Sequence, residues 1–390
     1  MTLPRDIIVF STADWSEANW TNNQRMTQTL AAQGFRVLYL ESLGLRQPTV
    51  SRRDLGRIWR RLGKTLRGLR SVEPGIWVFS PLVIPLQRPW IAWFNRLLLV
   101  MTVRLLTGWL GFRRSVVWAY NPTVVEFQAQ LRPRLLVYHC VDDLTTVPGI
   151  PAAVVTQAEQ RLLQAADLVF VTSPNLEAKL GAIAPDKIHY LPNVADYDHF
   201  SQAAAPGSVP ADLQAIPQPR LGFIGALKDH KCEVEWIQTL ARRHPQWQWV
   251  MIGEMELSPE KRACLSASNI HLLGYRPYER LPDYLRGFDV AVLPCLLNDY
   301  TRSMFPMKFF EYLAAGLPLV STRLPALGAY EHLYRAASSA DEFERGVQAA
   351  LATDHDPAPG VAVAQQHTWQ NRGQRMVALM EASWRLKSSS

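Results

Sequence analysis

Short apolar runs alternate with helix-length amphipathic segments along almost the whole chain of 390 residues. This alternation predicts parallel sheets with helices on both faces, because a strand that is covered on both sides carries consecutive apolar residues. Asn22–Gln33 is predicted as one of the helices, ended by Gly34. Twelve strands are predicted, at Ile7–Ser11, Arg36–Leu40, Ile76–Phe79, Ser115–Trp118, Leu135–His139, Leu168–Thr172, Ile188–Leu191, Arg220–Ile224, Gln248–Ile252, Ile270–Leu272, Val290–Leu293 and Leu319–Thr322.

The length suggests two domains at roughly 150 residues each. Residues 201–219 carry four prolines and no strand pattern, so they are predicted to be a linker. The expected organisation is a first domain over 1–200, a second over 220–365 and a helical tail over 366–390. Two doubly wound α/β domains would face a cleft, and such sheets bind ligands at the carboxyl ends of their strands.

The composition, 48% apolar and 19% charged residues, is that of a globular protein. The four cysteines have no C-x-x-C spacing, so reduced thiols in a cytoplasmic compartment are expected. The first apolar run is short and is soon interrupted by Asp14, unlike a secretion signal.

The stretch "GFIGALKDHK" follows the first strand of the second domain and places Gly225, Lys228 and Lys231 before a helix. Backbone N–H groups and ammonium groups at such a turn suit an anion. A plain loop with solvated lysines is the alternative. The stretch has neither a Walker A pattern nor G-x-G-x-x-G.

A second candidate stretch is "SMFPMKFFEYLAAGLPLVST", with a helix predicted over Phe305–Ala315. Lys308 and Glu311 are three residues apart and would share a helix face. A carboxylate there suits the vicinal hydroxyls of a ribose, whereas a solvated surface ion pair is the alternative. The preceding "LNDYTRSMFP" is predicted to be a flexible loop that closes on a ligand.

These stretches resemble the GT-B-fold glycosyltransferases of the family 4 type. "KFFEYLAAGLPLV" resembles the family's nucleotide-sugar motif K-x-x-E-[YA]-x-A-x-G-x-P-V, "HYLPNVADYDHF" its "IPNGVD…F", and "HTWQNRGQRMVALME" its final helices, which return to the first domain. Trp20 and Gln24 resemble a W-x3-Q pattern of a subgroup that builds bacterial polysaccharides such as teichuronic acid.

The resemblance implies transfer of a sugar from a nucleoside-diphosphate sugar, with Glu311 on the donor ribose and Lys231 on its diphosphate. The family's arginine after the loop glycine is replaced by Ala226, and Lys228 is a candidate substitute. The first carboxylate of the family's E-x7-E motif is replaced by Ser303. Backbone N–H groups of Met307 and Lys308 would then contact phosphate.

In the first domain "LLVYHCVDDL" ends a predicted strand at His139 and continues into Asp142 and Asp143. The resemblance implies that His139 contacts the donor sugar, and Asp142 or Asp143 is a candidate for binding sugar or acceptor hydroxyls. A hydrogen-bonded structural histidine and a helix-capping aspartate are the alternatives.

No metal site is predicted. "DYD" at Asp196–Asp198 and "DHD" at Asp354–Asp356 imitate a metal-binding D-x-D, but neither follows a strand of a nucleotide-binding domain. Lysines and helix N-terminal amides would stabilise the departing diphosphate instead. The resemblance also implies retention at the anomeric carbon without a protein nucleophile.

Residues 46–70 carry nine Lys or Arg and one acid, and "SRRDLGRIWRRLGKTLRGLR" has apolar residues at helical spacing. This pattern predicts a basic amphipathic helix on an anionic membrane surface. "PWIAWFNRLLLVMTVRLLTGWLGFRR" is apolar, but Arg96 and Arg104 interrupt it, so it is not expected to span a membrane. Helices that merely cover the sheet are the alternative for both segments.

The expected location is the cytoplasmic face of the plasma membrane, with a glycan or lipid-linked acceptor. Nucleic acid is not an expected partner, because no nucleic-acid-binding motif accompanies the basic patch. A nucleotide-sugar epimerase and a non-catalytic nucleotide-sugar-binding subunit remain alternatives.

Overall fold

The computed structural model describes residues 2–42, 63, 65, 67–84 and 89–389. The chain divides into two compact units, unit 1 with Met1–Leu191 and Gly373–Ser390, and unit 2 with Pro192–Arg372. Each unit has its own parallel sheet with helices between the strands, as the apolar alternation predicted. All twelve predicted strands are present to within two residues at either end.

Among the described residues, unit 1 is built on an eight-stranded sheet in the order β3-β4-β2-β1-β5-β6-β7-β8. Neighbouring strands run parallel except β3 and β4, a hairpin whose first strand was not predicted. The strands are β1 (Asp6–Phe10), β2 (Arg36–Leu40), β3 (Arg70–Glu73), β4 (Ile76–Phe79), β5 (Ser115–Ala119), β6 (Leu135–Cys140), β7 (Leu168–Val171) and β8 (Ile188–Tyr190). The helices are α1 (Asn22–Ala32), α2 (Pro89–Trp109), α3 (Gln128–Leu131), α4 (Ala152–Ala165) and α5 (Pro174–Gly181).

The main sheet of unit 2 has six parallel strands in the order β13-β11-β9-β14-β15-β16, and β10 pairs with β12 beside it. The strands are β9 (Arg220–Ile224), β10 (Leu227–Lys228), β11 (Gln248–Ile252), β12 (Met255–Glu256), β13 (Ile270–Gly274), β14 (Val290–Leu293), β15 (Leu319–Thr322) and β16 (Arg335–Ala337). The strand order reverses between β9 and β14, and sheets of this type bind ligands at such a reversal.

Short helices connect the strands of unit 2. They are α6 (Tyr197–Phe200), α7 (Ala211–Gln214), α8 (Val234–Arg243), α9 (Pro259–Ala263), α10 (Leu281–Leu285), α11 (Asp299–Arg302), α12 (Lys308–Ala314), α13 (Ala340–Ala352) and α14 (Ala358–Gln366). Turns of 3-10 helix add Pro122–Glu126, Leu144–Thr146 and Pro185–Lys187 in unit 1, and Ser201–Ala204, Tyr278–Arg280 and Pro325–Leu333 in unit 2.

Residues 201–219, predicted to be a linker, belong to unit 2. Leu213 and Ile216 are buried in its core, and the guanidinium of Arg286 donates hydrogen bonds to three backbone carbonyls of the segment. Buried apolar side chains and satisfied carbonyls hold this proline-rich stretch in place. The first boundary therefore lies after Leu191, and the chain returns to unit 1 at Gly373.

The last helix, α15 (Trp369–Ser389), packs on unit 1 from Gly373 onwards. A side chain at Gly373 would lie 2.3 Å from the Thr29 side chain, so the close approach to α1 requires glycine. Near its end, the Lys387 ammonium is 2.7 Å from the Asp167 carboxylate. The C-terminal helix thus returns to the first unit, as the family resemblance implied.

Among the described residues, one stretch of helix, Trp90–Trp109, is long and apolar enough to cross a membrane by length and composition. Its mean hydropathy is 1.3, and 22% of its most apolar part is buried. The basic helix predicted at 51–70 falls mostly outside the described residues.

Candidate functional site

The loop that follows β9 is held against the end of β11 by two glycines. The Gly225 N–H donates to the Ile252 carbonyl at 2.8 Å. A Cβ on Gly253 would lie 2.1 Å from the Gly225 carbonyl oxygen, and the φ of Gly253 is +140°. Only glycine fits both the backbone conformation and the close contact. The carboxyl ends of β9 and β11 therefore meet at the predicted anion site.

The two candidate lysines of this loop have different partners. The Lys228 ammonium lies 2.8 Å from the Glu256 carboxylate, across the β10–β12 pair. The Lys231 ammonium lies over the Tyr300 ring, 4.8 Å from its centroid. Lys231 therefore faces the segment after β14, whereas Lys228 is paired with the Glu256 carboxylate.

Backbone contacts join the loop after β9 to the loop after β14. The Leu296 N–H donates to the Lys231 carbonyl at 2.8 Å, and the Asn298 side-chain amide donates to the His230 carbonyl at 2.9 Å. Asn298 also caps α11 in a capping box with Thr301. The stretch "LNDYTRSMFP" thus contains a short capped helix, and its closure on a ligand stays a prediction.

Lys308 and Glu311 form an ion pair at the start of α12, with 2.5 Å between the ammonium and a carboxylate oxygen. The Glu311 side chain is only 6% exposed and that of Lys308 is 25% exposed. A solvated surface pair would expose both groups, so the alternative of an ordinary surface pair does not hold. The Lys308 ammonium also lies 5.6 Å from the centroid of the Phe200 ring.

Helix α12 is shorter than predicted, because it begins at Lys308 after Pro306 and Met307. Met307 precedes it without a side-chain cap. Ser303, where the family motif has a carboxylate, is buried at the C-terminal end of α11.

Tyr312, next to Glu311, ties α12 to the sheet. Its hydroxyl oxygen accepts a hydrogen bond from the Ile224 N–H at 2.8 Å. Ile224 is the last residue of β9 and precedes Gly225, so this bond places Glu311 relative to the anion loop. Burial raises the pKa of the Tyr312 hydroxyl well above its usual value, which keeps it neutral.

His139 lies in β6 and is fully buried among aromatic rings. The rings of Tyr120, Trp118 and Phe170 have centroids 4.9, 5.6 and 6.1 Å from that of the imidazole. The ring packing places His139 in the core of unit 1, and contact with a donor sugar stays a prediction.

Asp143 caps the 3-10 turn Leu144–Thr146 by accepting a hydrogen bond from the Thr145 N–H at 3.1 Å. Its other carboxylate oxygen lies 2.7 Å from the Lys179 ammonium. The capping alternative therefore describes Asp143 in this structure. The neighbouring Asp142 is partly exposed beyond the end of β6. Binding of hydroxyls by either aspartate stays a prediction.

Sequence reasoning missed Gly253, Tyr300 and Tyr312. Gly253 directly follows a strand, and a glycine at that position can indicate that another segment of backbone approaches closely. Tyr300 and Tyr312 carried no such signal, since each contact is made with a residue more than sixty positions away.

Within the described ranges, no group of three or more His, Cys, Asp or Glu side chains could hold a metal ion. Asp196 of "DYD" caps α6. Asp354 and Asp356 of "DHD" border a surface cavity of about 270 Å³ between α13 and α14, together with His332 and Arg335. That cavity lies at the amino ends of β15 and β16, away from the loop after β9.

Residues 218–353 match the family described as "Glycosyl transferases group 1". Over 191 residues the chain is 30% identical to the "Putative teichuronic acid biosynthesis glycosyltransferase TuaH" of Bacillus subtilis (strain 168). The match covers 46% of this chain and 46% of that protein, so the chain spans about half the length of the curated relative.

Solved structures resemble the chain over nearly its whole length. Sucrose-phosphate synthase from Thermosynechococcus elongatus has a TM-score of 0.71 at 17% identity and covers 99% of this chain and 100% of its own. Anabaena HepE in complex with UDP has a TM-score of 0.66 at 13% identity, with coverages of 97% and 99%. At such identities these likenesses show the fold, and they confirm the predicted GT-B class.

Proposed function

We propose that this chain, whose residues 218–353 match the family described as "Glycosyl transferases group 1", is a glycosyltransferase that uses a nucleoside-diphosphate sugar. Its acceptor would be a glycan or a lipid-linked glycan in cell-surface polysaccharide synthesis. The observation that carries the proposal is the buried Glu311 carboxylate paired with the partly exposed Lys308, in a helix that Tyr312 connects to the end of β9, directly before the loop that bears Lys231. The similarity to a teichuronic acid glycosyltransferase supports the pathway class.

Glu311 is the proposed ribose ligand. Burying a charged carboxylate lowers the stability of the fold unless the charge is paired or hydrogen-bonded. Here Lys308 supplies one partner, and two vicinal hydroxyls would supply two more hydrogen bonds to the same carboxylate. Hydrogen bonds to charged groups each contribute about 1.5–3 kcal/mol.

Lys231 is the proposed diphosphate ligand. It lies in the loop after β9, where the strand order reverses, and the described neighbour of its ammonium is the Tyr300 ring rather than a carboxylate. Backbone N–H groups near Gly225, Met307 and Lys308 would add donors. Lys228 would contribute only if phosphate competes with Glu256 for its ammonium.

The barrier to transfer is charge separation as the anomeric C–O bond lengthens. Lys231 and preorganised backbone donors would stabilise the leaving diphosphate without reorganisation. We propose a metal-independent reaction with retention at the anomeric carbon, and no side chain is assigned as general base. Unit 1, with His139, Asp142 and Asp143, is proposed to take the acceptor.

The protein is proposed to bind peripherally to the cytoplasmic face of the plasma membrane. No role is proposed for nucleic acid. The basic stretch 46–70 and the net charge of +7 support an anionic surface as partner.

Thermal shift against a panel of nucleotide sugars would identify the donor, because a bound donor stabilises the folded state. Glu311→Ala should then weaken binding of that donor, or of UDP, by at least about tenfold in titration calorimetry. Glu331→Ala is the matched control, since Glu331 forms a half-exposed pair with Arg323 in the same unit. Unchanged affinity in Glu311→Ala would reject the ribose assignment.

A turnover assay separates the proposed transferase from its alternatives. A transferase releases nucleoside diphosphate only when an acceptor is present. An epimerase changes the donor sugar without an acceptor, and a binding subunit does neither. Either of those results would overturn the proposed reaction while leaving the donor site intact.

A further inference from the structure

Helix α2 has two apolar faces, and the residues that the structure describes cover only one of them. Ile91, Leu99 and Val103 are buried in unit 1. The opposite side, named here the α2 outer face, is made of large apolar side chains that are 42 to 71% exposed: Trp90, Trp93, Phe94, Leu97, Met101 and Leu105. Their spacing of three or four residues places them along one side of the helix, and Trp109 follows at its end, 76% exposed.

The α2 outer face is long as well as apolar. A helix rises 1.5 Å per residue, so the stretch from Trp90 to Trp109 extends about 30 Å. Soluble monomeric proteins rarely expose a contiguous apolar surface of this extent, and a surface that does so is usually an interaction site.

The segment that contains α2 carries only basic charges, although the Glu126 carboxylate just beyond it pairs with Arg96. Residues 74–125 contain five arginines and no aspartate or glutamate. Arg104, Arg113 and Arg114 are exposed on or just beyond α2. Tryptophan prefers the boundary between lipid chains and headgroups, and arginine pairs with lipid phosphate. Exposed tryptophans at both ends of an apolar stripe with arginines beside it fit an anionic lipid surface.

We propose that the α2 outer face lies in the headgroup region of an anionic lipid bilayer, with the helix axis in the membrane plane. This inference rests on the proposed function for its biological purpose, since it places the enzyme where a lipid-linked acceptor is found. It assigns the membrane contact to a described helix, in addition to the basic stretch 46–70 from which peripheral binding was expected.

The polar contacts of α2 favour lying on the membrane over crossing it. The Asn95 side chain bonds both the N–H and the carbonyl of Ile84, at 3.0 and 2.9 Å. The Arg96 guanidinium lies 2.5 Å from the Glu126 carboxylate. A spanning helix would lose these bonds and the packing of Ile91, Leu99 and Val103, whereas an interfacial helix keeps them.

The test is co-sedimentation of the whole protein with vesicles of phosphatidylglycerol and phosphatidylcholine. The tested variant carries Trp93→Gln, Leu97→Gln, Met101→Gln and Leu105→Gln. We expect its partition coefficient to fall at least about tenfold, since interfacial binding scales with buried apolar area. The matched control variant changes four exposed apolar residues elsewhere to glutamine, at Val154, Ile183, Leu272 and Leu386, and should partition like the parent.

Several outcomes would overturn the proposal. Equal sedimentation of parent and variant is one, and equal binding to pure phosphatidylcholine vesicles is another. If the parent is a dimer in analytical ultracentrifugation and the variant a monomer, with no change in lipid binding, the face is a protein interface. Affinity for the nucleotide sugars of the panel, measured on the same samples, reports on the donor site separately. A protein that binds vesicles but none of those nucleotide sugars would reject the proposed function and leave this inference standing.

Discussion

Cys232 and Cys295 face each other in an isolated antiparallel bridge between the loop after β9 and the loop after β14. The Glu233 N–H donates to the Pro294 carbonyl at 2.9 Å, and the Leu296 N–H to the Lys231 carbonyl at 2.8 Å. These bonds are made by the residues on either side of the two cysteines. Cys232 and Cys295 are therefore a non-hydrogen-bonded pair of an antiparallel bridge. The Cα atoms of such a pair lie about 4.5 Å apart, within the range of a disulfide.

Oxidised glutathione should therefore convert this pair to a disulfide. The Sγ–Sγ bond would form as the glutathione disulfide is reduced to two thiols, which take up the two cysteine protons. The reaction should be slow, because burial raises the pKa of the Cys232 thiol and raises that of Cys295 to about 12. Peptide mass mapping after digestion would detect the link, and Cys232→Ser should not form it. If both thiols can still be alkylated when the glutathione-treated protein is unfolded, no disulfide has formed and the prediction is contradicted.

Gly253→Ala should destabilise unit 2 and weaken UDP binding, because the new methyl group would overlap the Gly225 carbonyl oxygen. Overpacking of this kind costs about 1–3 kcal/mol or more. Gly274→Ala is the control, since Gly274 also has a positive φ, +71°, but has open space around it. Denaturant unfolding and UDP titration of both variants would separate the clash from backbone strain. Equal losses in the two variants would mean that the contact with Gly225 is unimportant.

Tyr312→Phe should lower the free energy of unfolding by about 1–3 kcal/mol, the cost of leaving a buried N–H without an acceptor. The N–H concerned is that of Ile224. Tyr275, which is 41% exposed, provides the control Tyr275→Phe. Urea unfolding with an unchanged m value would measure the difference, and a loss no larger than that of the control would show that Ile224 finds another acceptor.

Glu159 should make the stability of unit 1 depend on pH. Burial raises the pKa of this carboxyl, although its bond from the Tyr138 hydroxyl, 2.6 Å, opposes the shift. Because the folded pKa is raised, the stabilising contribution of the protonated form is complete below the unfolded value, about 4.3, and is lost as pH rises through the folded pKa. Glu159→Gln should therefore become more stable relative to the parent as pH rises.

The matched control for that measurement is Glu126→Gln. The Glu126 carboxyl has a lowered pKa, since Arg96 and Arg161 outweigh the effect of its partial burial. Its contribution is present above the unfolded pKa and is lost as pH falls, so Glu126→Gln should become less stable relative to the parent as pH rises. Urea unfolding between about pH 3 and 8, a range that extends to both sides of the unfolded pKa of about 4.3, should show differences of opposite sign. A constant difference for Glu159→Gln would contradict the prediction.

Most of the strands could be predicted because they are buried along their length and are therefore mainly apolar. Val290–Leu293 and Leu319–Thr322 are examples in which the apolar run and the strand coincide. The short strands β10, β12 and β16 were not predicted, since two or three residues carry too little pattern. Residues 201–219 misled the prediction because prolines and small residues also occur in segments that pack tightly.

The sequence alone determined the fold class and the candidate donor residues, because strand burial and motif spacing are local properties of the chain. Only the tertiary structure decided what those residues contact. It buried Glu311 against Lys308, paired Lys228 with Glu256, used Asp143 as a cap and, within the described part of the chain, left one face of α2 uncovered. The Lys308–Glu311 pair and the Asp143 cap are local contacts that the spacing allows, but the burial of Glu311 and the partner of Lys228 depend on segments that folding brings close. The spacing of residues along one segment does not determine how much of that segment is buried.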